Sequence, residues 1–180
     1  MTRKVLVIST SLRNRSNSEI LADSFIEGAK AAGNDVEKIS LKDKSIAFCK
    51  GCLTCLTLRR CVIKDDAVEI AEKMKTADVI VFSTPIYYYE MSGQMKTLLD
   101  RANALYTADY AFRDIYFLSS AAEEGDGVDE RAVQGLEGWI ACYGKCHLSG
   151  TVFAGGVNDA GEIKGHPSLK KAYDMGASIK

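Results

Sequence analysis

The chain has 180 residues, 47% hydrophobic and 26% charged, enough apolar material for a sizeable core and too much for a disordered segment. Its 23 basic and 24 acidic side chains leave a net charge of −1, which argues against a basic surface built for nucleic acid. No run of about 18 uncharged apolar residues is present, and Met1-Thr2-Arg3-Lys4 leads into an apolar stretch too short for a signal peptide, so a cytoplasmic protein without a membrane segment is expected.

Val5-Leu6-Val7-Ile8 reads as a strand buried on both faces, and Leu21, Phe25, Gly28 and Ala32 mark a helix from about Ser18. Val36 to Leu41, interrupted by Glu37 and Lys38, reads as an edge strand. After a cysteine-rich insertion at about 42–64, Ala67, Ile70, Ala71 and Met74 follow helical spacing, and Val79-Ile80-Val81-Phe82 forms a second buried strand. Met95, Leu98, Leu99, Ala102 and Leu105 predict one longer helix, and Ile115 to Leu118 predicts a strand. Val133, Leu136, Ile140 and Tyr143 mark a helix from about Gly127, Leu148 to Ala154 the fifth strand, and Leu169, Ala172 and Tyr173 a helix after Pro167. This alternation, without a repeat or linker, predicts a single domain over 1–180, an α/β fold with one doubly wound sheet and helices on both faces, its ligand beyond the carboxyl ends of the strands.

The first such end is Ser9-Thr10-Ser11-Leu12-Arg13-Asn14-Arg15-Ser16-Asn17-Ser18, which gathers hydroxyls, amides and guanidinium groups where a helix presents unpaired N–H groups and the positive end of its dipole. That is an anion site in chemical terms, although Ser16 to Ser18 would also serve as an ordinary helix cap. Neither G-x-x-x-x-G-K-[ST] nor G-x-G-x-x-G follows the strand, which argues against a triphosphate or a Rossmann dinucleotide. The third strand runs into Ser83-Thr84-Pro85-Ile86-Tyr87-Tyr88-Tyr89-Glu90-Met91-Ser92-Gly93-Gln94-Met95-Lys96, an aromatic turn able to offer a planar ring a flat surface and backbone donors. Ser119 to Gly127 is a small-residue loop at the same edge, in which Ser120, Ala121 and Ala122 would let backbone approach a ring.

Cys49, Cys52, Cys55 and Cys61 fall in the spacing C-x2-C-x2-C-x5-C, which suits four thiolates around an iron–sulfur cluster or one zinc better than a two-cysteine exchange site. Asp65 and Asp66 read as the start of the next helix. Cys142 and Cys146, four apart and read as the last turn of a helix with Trp139 and Tyr143, are expected to pack as small apolar groups. His147 and His166 sit in no nucleophile or metal spacing, and Gly155 to Gly161 reads as a turn-rich connection.

With Ser11, Arg13, Ser16, Asn17 and Ser18 in the first loop and Thr84-Pro85-Ile86-Tyr87, Ser92, Gly93 and Lys96 in the second, the sequence resembles the flavodoxin-like NAD(P)H-dependent FMN reductases and iron-sulfur flavoproteins, Thr10 standing where that family often has Gly. The resemblance implies a five-stranded parallel sheet of order 2-1-3-4-5. It implies FMN bound by Ser11, Arg13, Ser16, Asn17, Ser18, Pro85, Ile86, Tyr87, Tyr88, Ser120 and Ala121, with no catalytic side chain because the flavin carries the chemistry. NAD(P)H would be the co-substrate, and a quinone, nitro, azo or similar compound the acceptor. The cysteine spacing resembles that of iron-sulfur flavoproteins, in which the loop carries a 4Fe-4S cluster, giving as the alternative an electron carrier between FMN, cluster and a ferredoxin-like protein. A homodimer or homotetramer is implied as well.

Overall fold

Strands and helices alternate along residues 1–180, all of which the computed structural model describes. β1 (Lys4–Ser9), β2 (Asp35–Ser40), β3 (Val79–Tyr87), β5 (Asp114–Ser120) and β6 (His147–Ala154) form a parallel sheet in the order β2-β1-β3-β5-β6. With the two-residue β4 (Glu90–Met91) set aside, this is the expected 2-1-3-4-5 arrangement. β4 pairs antiparallel with the end of β3, and the turn between them places both Tyr88 and Tyr89 at positive φ (51° and 65°).

Alternate side chains of the central strands enter different layers, as a pleat requires. Val5, Val7, Val79 and Val81 pack with α1 (Asn17–Ala31) and α6 (Pro167–Ala177). Leu6, Ile8, Ile80 and Phe82 pack with α3 (Asp66–Thr76), α4 (Gly93–Arg101) and α5 (Glu130–Ile140). The short α2 (Thr54–Leu58), which the sequence did not announce, lies inside the cysteine insertion and buries none of its residues. Helix starts follow capping chemistry: Ser16, Asp65 and Ser92 accept from Glu19, Ala67 and Met95 N–H at 3.1, 3.2 and 3.3 Å.

Two helical expectations are corrected. The helix over Met95 to Leu105 changes at Arg101, where α4 gives way to a 3₁₀ helix over Ala102–Thr107, because apolar residues three apart suit either winding. The helix expected from Gly127 through Cys146 covers only Glu130–Ile140, so Cys142 lies exposed in a turn, and Cys146, half-buried against the larger apolar layer, directly precedes β6. Burial pushes the Cys146 thiol up to about 11, against the pull of Arg113, so it stays protonated at neutral pH and packs as expected. β1 and β3 are adjacent while β2 lies on the far side of β1, which puts the switch in strand order, and the crevice it creates, at the carboxyl ends of β1 and β3.

Candidate cofactor site and cysteine loop

At that crevice, Thr10 leaves β1 with its N–H on Ser83 O (2.9 Å), and Arg15 turns the chain through positive φ (53°) into the Ser16 cap. Ser11, Ser16 and Ser18 are all buried, with the Ser16 and Ser18 hydroxyls 3.4 Å apart at the N-terminus of the 15-residue α1. Buried hydroxyls beside first-turn N–H groups that a helix cannot pair internally fit an anion the size of a phosphate. Arg13 stands half-exposed at the rim, donating from Nη1 to Asn158 O (2.6 Å).

A cleft of about 150 Å³ joins this turn to the other strand ends, and its lining includes Ser11, Arg13, Ser16, Asn17, Ser18, Pro85, Ile86, Tyr87, Ser120 and Ala121. Every residue expected at the cofactor is therefore brought together except Tyr88, which the β3–β4 turn carries out into solvent, almost fully exposed. Asn17 lines the cleft, but its side chain is engaged elsewhere: Nδ2 donates to Val157 O and Asp159 O (3.2 and 3.0 Å), and Oδ1 accepts from Ile163 N–H (3.2 Å). It fixes the loop after β6 over the cleft, leaving only its backbone toward an anion.

Ala122, read with Ser120 and Ala121 as a small residue of the loop after β5, also lines the cleft, as do Val157 and Asn158, which were not singled out in the sequence although the glycines around 155–161 marked a loop at that edge. Gly156, at φ 69°, lets the two loops meet: a Cβ there would stand 2.3 Å from Glu124 Oε1. Thr10, in the position read as a departure from glycine, holds no positive φ; its hydroxyl meets Ser92 Oγ at 3.0 Å, and Ser92 in turn meets Thr84 Oγ1 at 3.1 Å. This buried hydroxyl chain ties the anion turn to the aromatic turn. A larger hollow, about 510 Å³ between Leu12, Leu41, Phe48 and the first turn of α4, includes none of the expected cofactor residues, and its two lysines, Lys44 and Lys96, are already paired with Asp66 and Asp100.

The four clustered cysteines line one small enclosed hollow of about 30 Å³ together with Asp100, Arg101 and Asn103. No three Cys, His, Asp or Glu side chains are gathered closely enough to grip a single metal ion, so the sulfurs do not surround one point as a tetrahedral zinc would require. The same four thiols are the donor set of a four-iron cluster, which takes each thiolate on a separate iron, and Cys49 and Cys52 are exposed while Cys55 and Cys61 are half-buried. Thr54 and then Lys50 hold the exposed Cys52 thiol below its ordinary range.

The neck of the loop is closed by Arg101, whose side chain is fully buried. Its Nη1 donates to Ala47 O (2.7 Å) and Asp65 Oδ2 (2.6 Å), and its Nη2 to Ile63 O (3.2 Å) and Asp65 Oδ1 (2.8 Å). Asp65 raises the Arg101 pKa, burial opposes, and the adjacent Cys61 adds to the rise. The Nε–H of Arg101 is buried with no acceptor, and Asn103 Nδ2 donates to Cys55 Sγ at 3.2 Å. Four thiols plus an unspent buried donor fit a group carrying negative charge on sulfur. Sequence spacing gave the cysteines; nothing local marked Arg101 or Asn103.

Residues 3–156 match the model of the family described as NADPH-dependent FMN reductase. The chain is 30% identical to an iron-sulfur flavoprotein of Methanosarcina thermophila over 173 residues, 96% of this chain and 87% of that protein. In structure it superposes on the NAD(P)H:quinone oxidoreductase from Methanothermobacter marburgensis with a TM-score of 0.77 at 17% identity, covering 100% of this chain and 97% of that one. It superposes on the azoreductase from Bacillus anthracis str. Sterne at 0.74 and 18% identity, covering 99% and 100%.

Proposed function

Because the chain belongs to the NADPH-dependent FMN reductase family, we propose that its cleft seats FMN and that it works as an FMN-dependent NAD(P)H oxidoreductase, delivering electrons to a quinone, nitro, azo or similar small acceptor. The observation that carries this reading is the convergence of residues from the ends of β1, β3 and β5 on one cleft at the switch in strand order. The N-terminus of α1, with Ser11, Ser16, Ser18 and the Arg13 charge, would hold the phosphate. Pro85, Ile86 and the half-exposed Tyr87 would support one face of the ring, with Ser120 and Ala121 backbone at its edge. Bound FMN supplies the two-electron chemistry between a nicotinamide and an acceptor, so no acid or base from the protein is required. Neither histidine lines the cleft: His166 caps α6 and His147 begins β6 at the opposite end of the sheet. A second copy of the chain, in a homodimer or homotetramer, is the expected cover for the ring face left open beside Tyr87.

Cys49, Cys52, Cys55 and Cys61 would hold a 4Fe-4S cluster supplying one-electron chemistry, favoured by the hollow they share with Arg101, whose buried Nε–H has no acceptor. The alternative reading, an electron carrier serving a ferredoxin-like protein, rests on that loop alone.

Titration with FMN and with riboflavin separates the proposed anchor from mere ring stacking. At least two charge-assisted hydrogen bonds to the phosphate, each about 1.5–3 kcal/mol, predict that FMN binds roughly 100-fold or more tighter than riboflavin. Equal affinities would place the phosphate elsewhere. Under anaerobic conditions NADH or NADPH is then expected to bleach the flavin bands within a turnover, and bleaching only by a reduced ferredoxin would favour the carrier.

A further inference from the structure

We propose that Asn103, supported by Arg101, is a positioning residue of the cysteine centre, donating N–H hydrogen bonds to ligating sulfur and thereby raising the ease with which that centre accepts an electron. The inference rests on the reading of the cysteine loop as the holder of an iron–sulfur cluster. Its observation is separate from the cysteine spacing: Asn103 Nδ2 lies 3.2 Å from Cys55 Sγ, within reach of a thiolate acceptor, and both Asn103 and Arg101 line the hollow that the four cysteines share.

The local fold explains how they come to be there. α4 ends at Arg101, and the tighter 3₁₀ winding from Ala102 to Thr107 carries Asn103 under the cysteine loop, where Thr107 Oγ1 also donates to Leu56 O at 3.4 Å. Arg101 spends its two Nη groups on Ala47, Ile63 and Asp65, which fixes the neck, and retains a buried Nε–H with no acceptor of its own. One electron added to a thiolate-bound iron–sulfur unit adds one negative charge, spread partly onto the cysteine sulfurs. Donors aimed at those sulfurs therefore stabilise the reduced state more than the oxidised one and move the potential upward. A neutral amide does this without adding formal charge.

The test uses full-length protein purified anaerobically, with iron and sulfide analysis and a redox titration followed by electron paramagnetic resonance. Wild type is expected to hold about four irons per chain, the number in the 4Fe-4S cluster of the proposed function. Asn103→Leu, which keeps bulk and loses the donor, is expected to keep its iron while its midpoint potential falls by about 59 mV, a tenfold loss in the one-electron reduction equilibrium. Asn103→Gln, which keeps the amide, is expected to recover part of that shift, a rescue that a merely space-filling role would not give. If Asn103→Leu loses its iron, the comparison passes to Asn103→Asp, whose carboxylate must lower the potential further. Wild type loaded with iron but matched in potential by these variants would overturn this inference while leaving the cluster in place. A wild-type chain that takes up no iron or sulfide on reconstitution would overturn the cluster reading itself, and this inference with it.

Discussion

Gly28→Ala is expected to lower folding stability by about 3 kcal/mol, at the upper end of what overpacking ordinarily costs. α1 and α6 cross backbone to backbone at two glycines: a Cβ on Gly28 would stand 2.0 Å from Tyr173 O, and one on Gly176 would stand 2.1 Å from Phe25 O. The obstacle is main chain in both directions, so no side-chain rotation relieves it, and α6 has to lift off the layer in which it buries Ala172. The change reaches the cleft too, because α6 is tied in by Ser24 Oγ to Leu169 O and Ser168 Oγ to Phe153 O, both near the loop that Asn17 organises. Urea unfolding would measure this. Gly138→Ala on the exposed side of α5, where an added Cβ meets nothing within 4 Å, is the control and is expected to gain up to about 1 kcal/mol. Similar small effects at both sites would mean that the helices do not cross this closely.

Asp65→Asn is expected to cost roughly 3–5 kcal/mol, because it strands a fully buried guanidinium without its counter-charge. The amide would still cap α3, which separates loss of charge from loss of the cap. Removing both charges, in Asp65→Asn with Arg101→Met, is expected to recover much of the loss, since an uncompensated buried ion costs more than the pair contributes. Burial alone would raise Asp65, but the Arg101 fork and the Ala47 N–H outweigh it and hold the carboxyl below its ordinary range. The pair's contribution is thus fully present above the unfolded aspartate value of about 3.9 and fades as pH falls through the lower folded value. Denaturation curves at pH 7 and pH 3 should accordingly show the gap between wild type and Asp65→Asn closing in acid. A gap that stays constant would remove the carboxylate from the account.

How much of this was legible beforehand depended on the range of the interactions. Val5 to Ile8 and Val79 to Phe82 announced the sheet because burial on both faces demands unbroken β-branched runs. The starts of α1 and α3 were legible in Ser16 and Asp65, whose cap partners lie two or three residues away. The turns of the cofactor cleft could be read because each follows a strand within a few residues. What escaped was long-range. Arg101, between Asp100 and Ala102, reads as a solvent-facing helix residue until the chain brings Asp65 to it from 36 positions away. Asn17 reads as an anion ligand, yet its amide is claimed by a loop about 140 residues on. The end of α4 was hidden for another reason: Leu99, Ala102 and Leu105 keep a three-residue apolar spacing that α and 3₁₀ windings share.

The hairpin between β3 and β4 carries a different implication. Two-residue hairpins of this hand are relaxed with asparagine and glycine at the tip, and a bulky side chain held in the left-handed region costs about 1 kcal/mol or more. This chain accepts that strain twice in succession, at Tyr88 and Tyr89, and turns the first ring outward where it gains nothing from the protein's own interior. Selection for thermal robustness alone would favour smaller residues at this tip, so the two phenols mark a point where the fold forgoes some of its own resilience to present aromatic surface beside the cleft mouth.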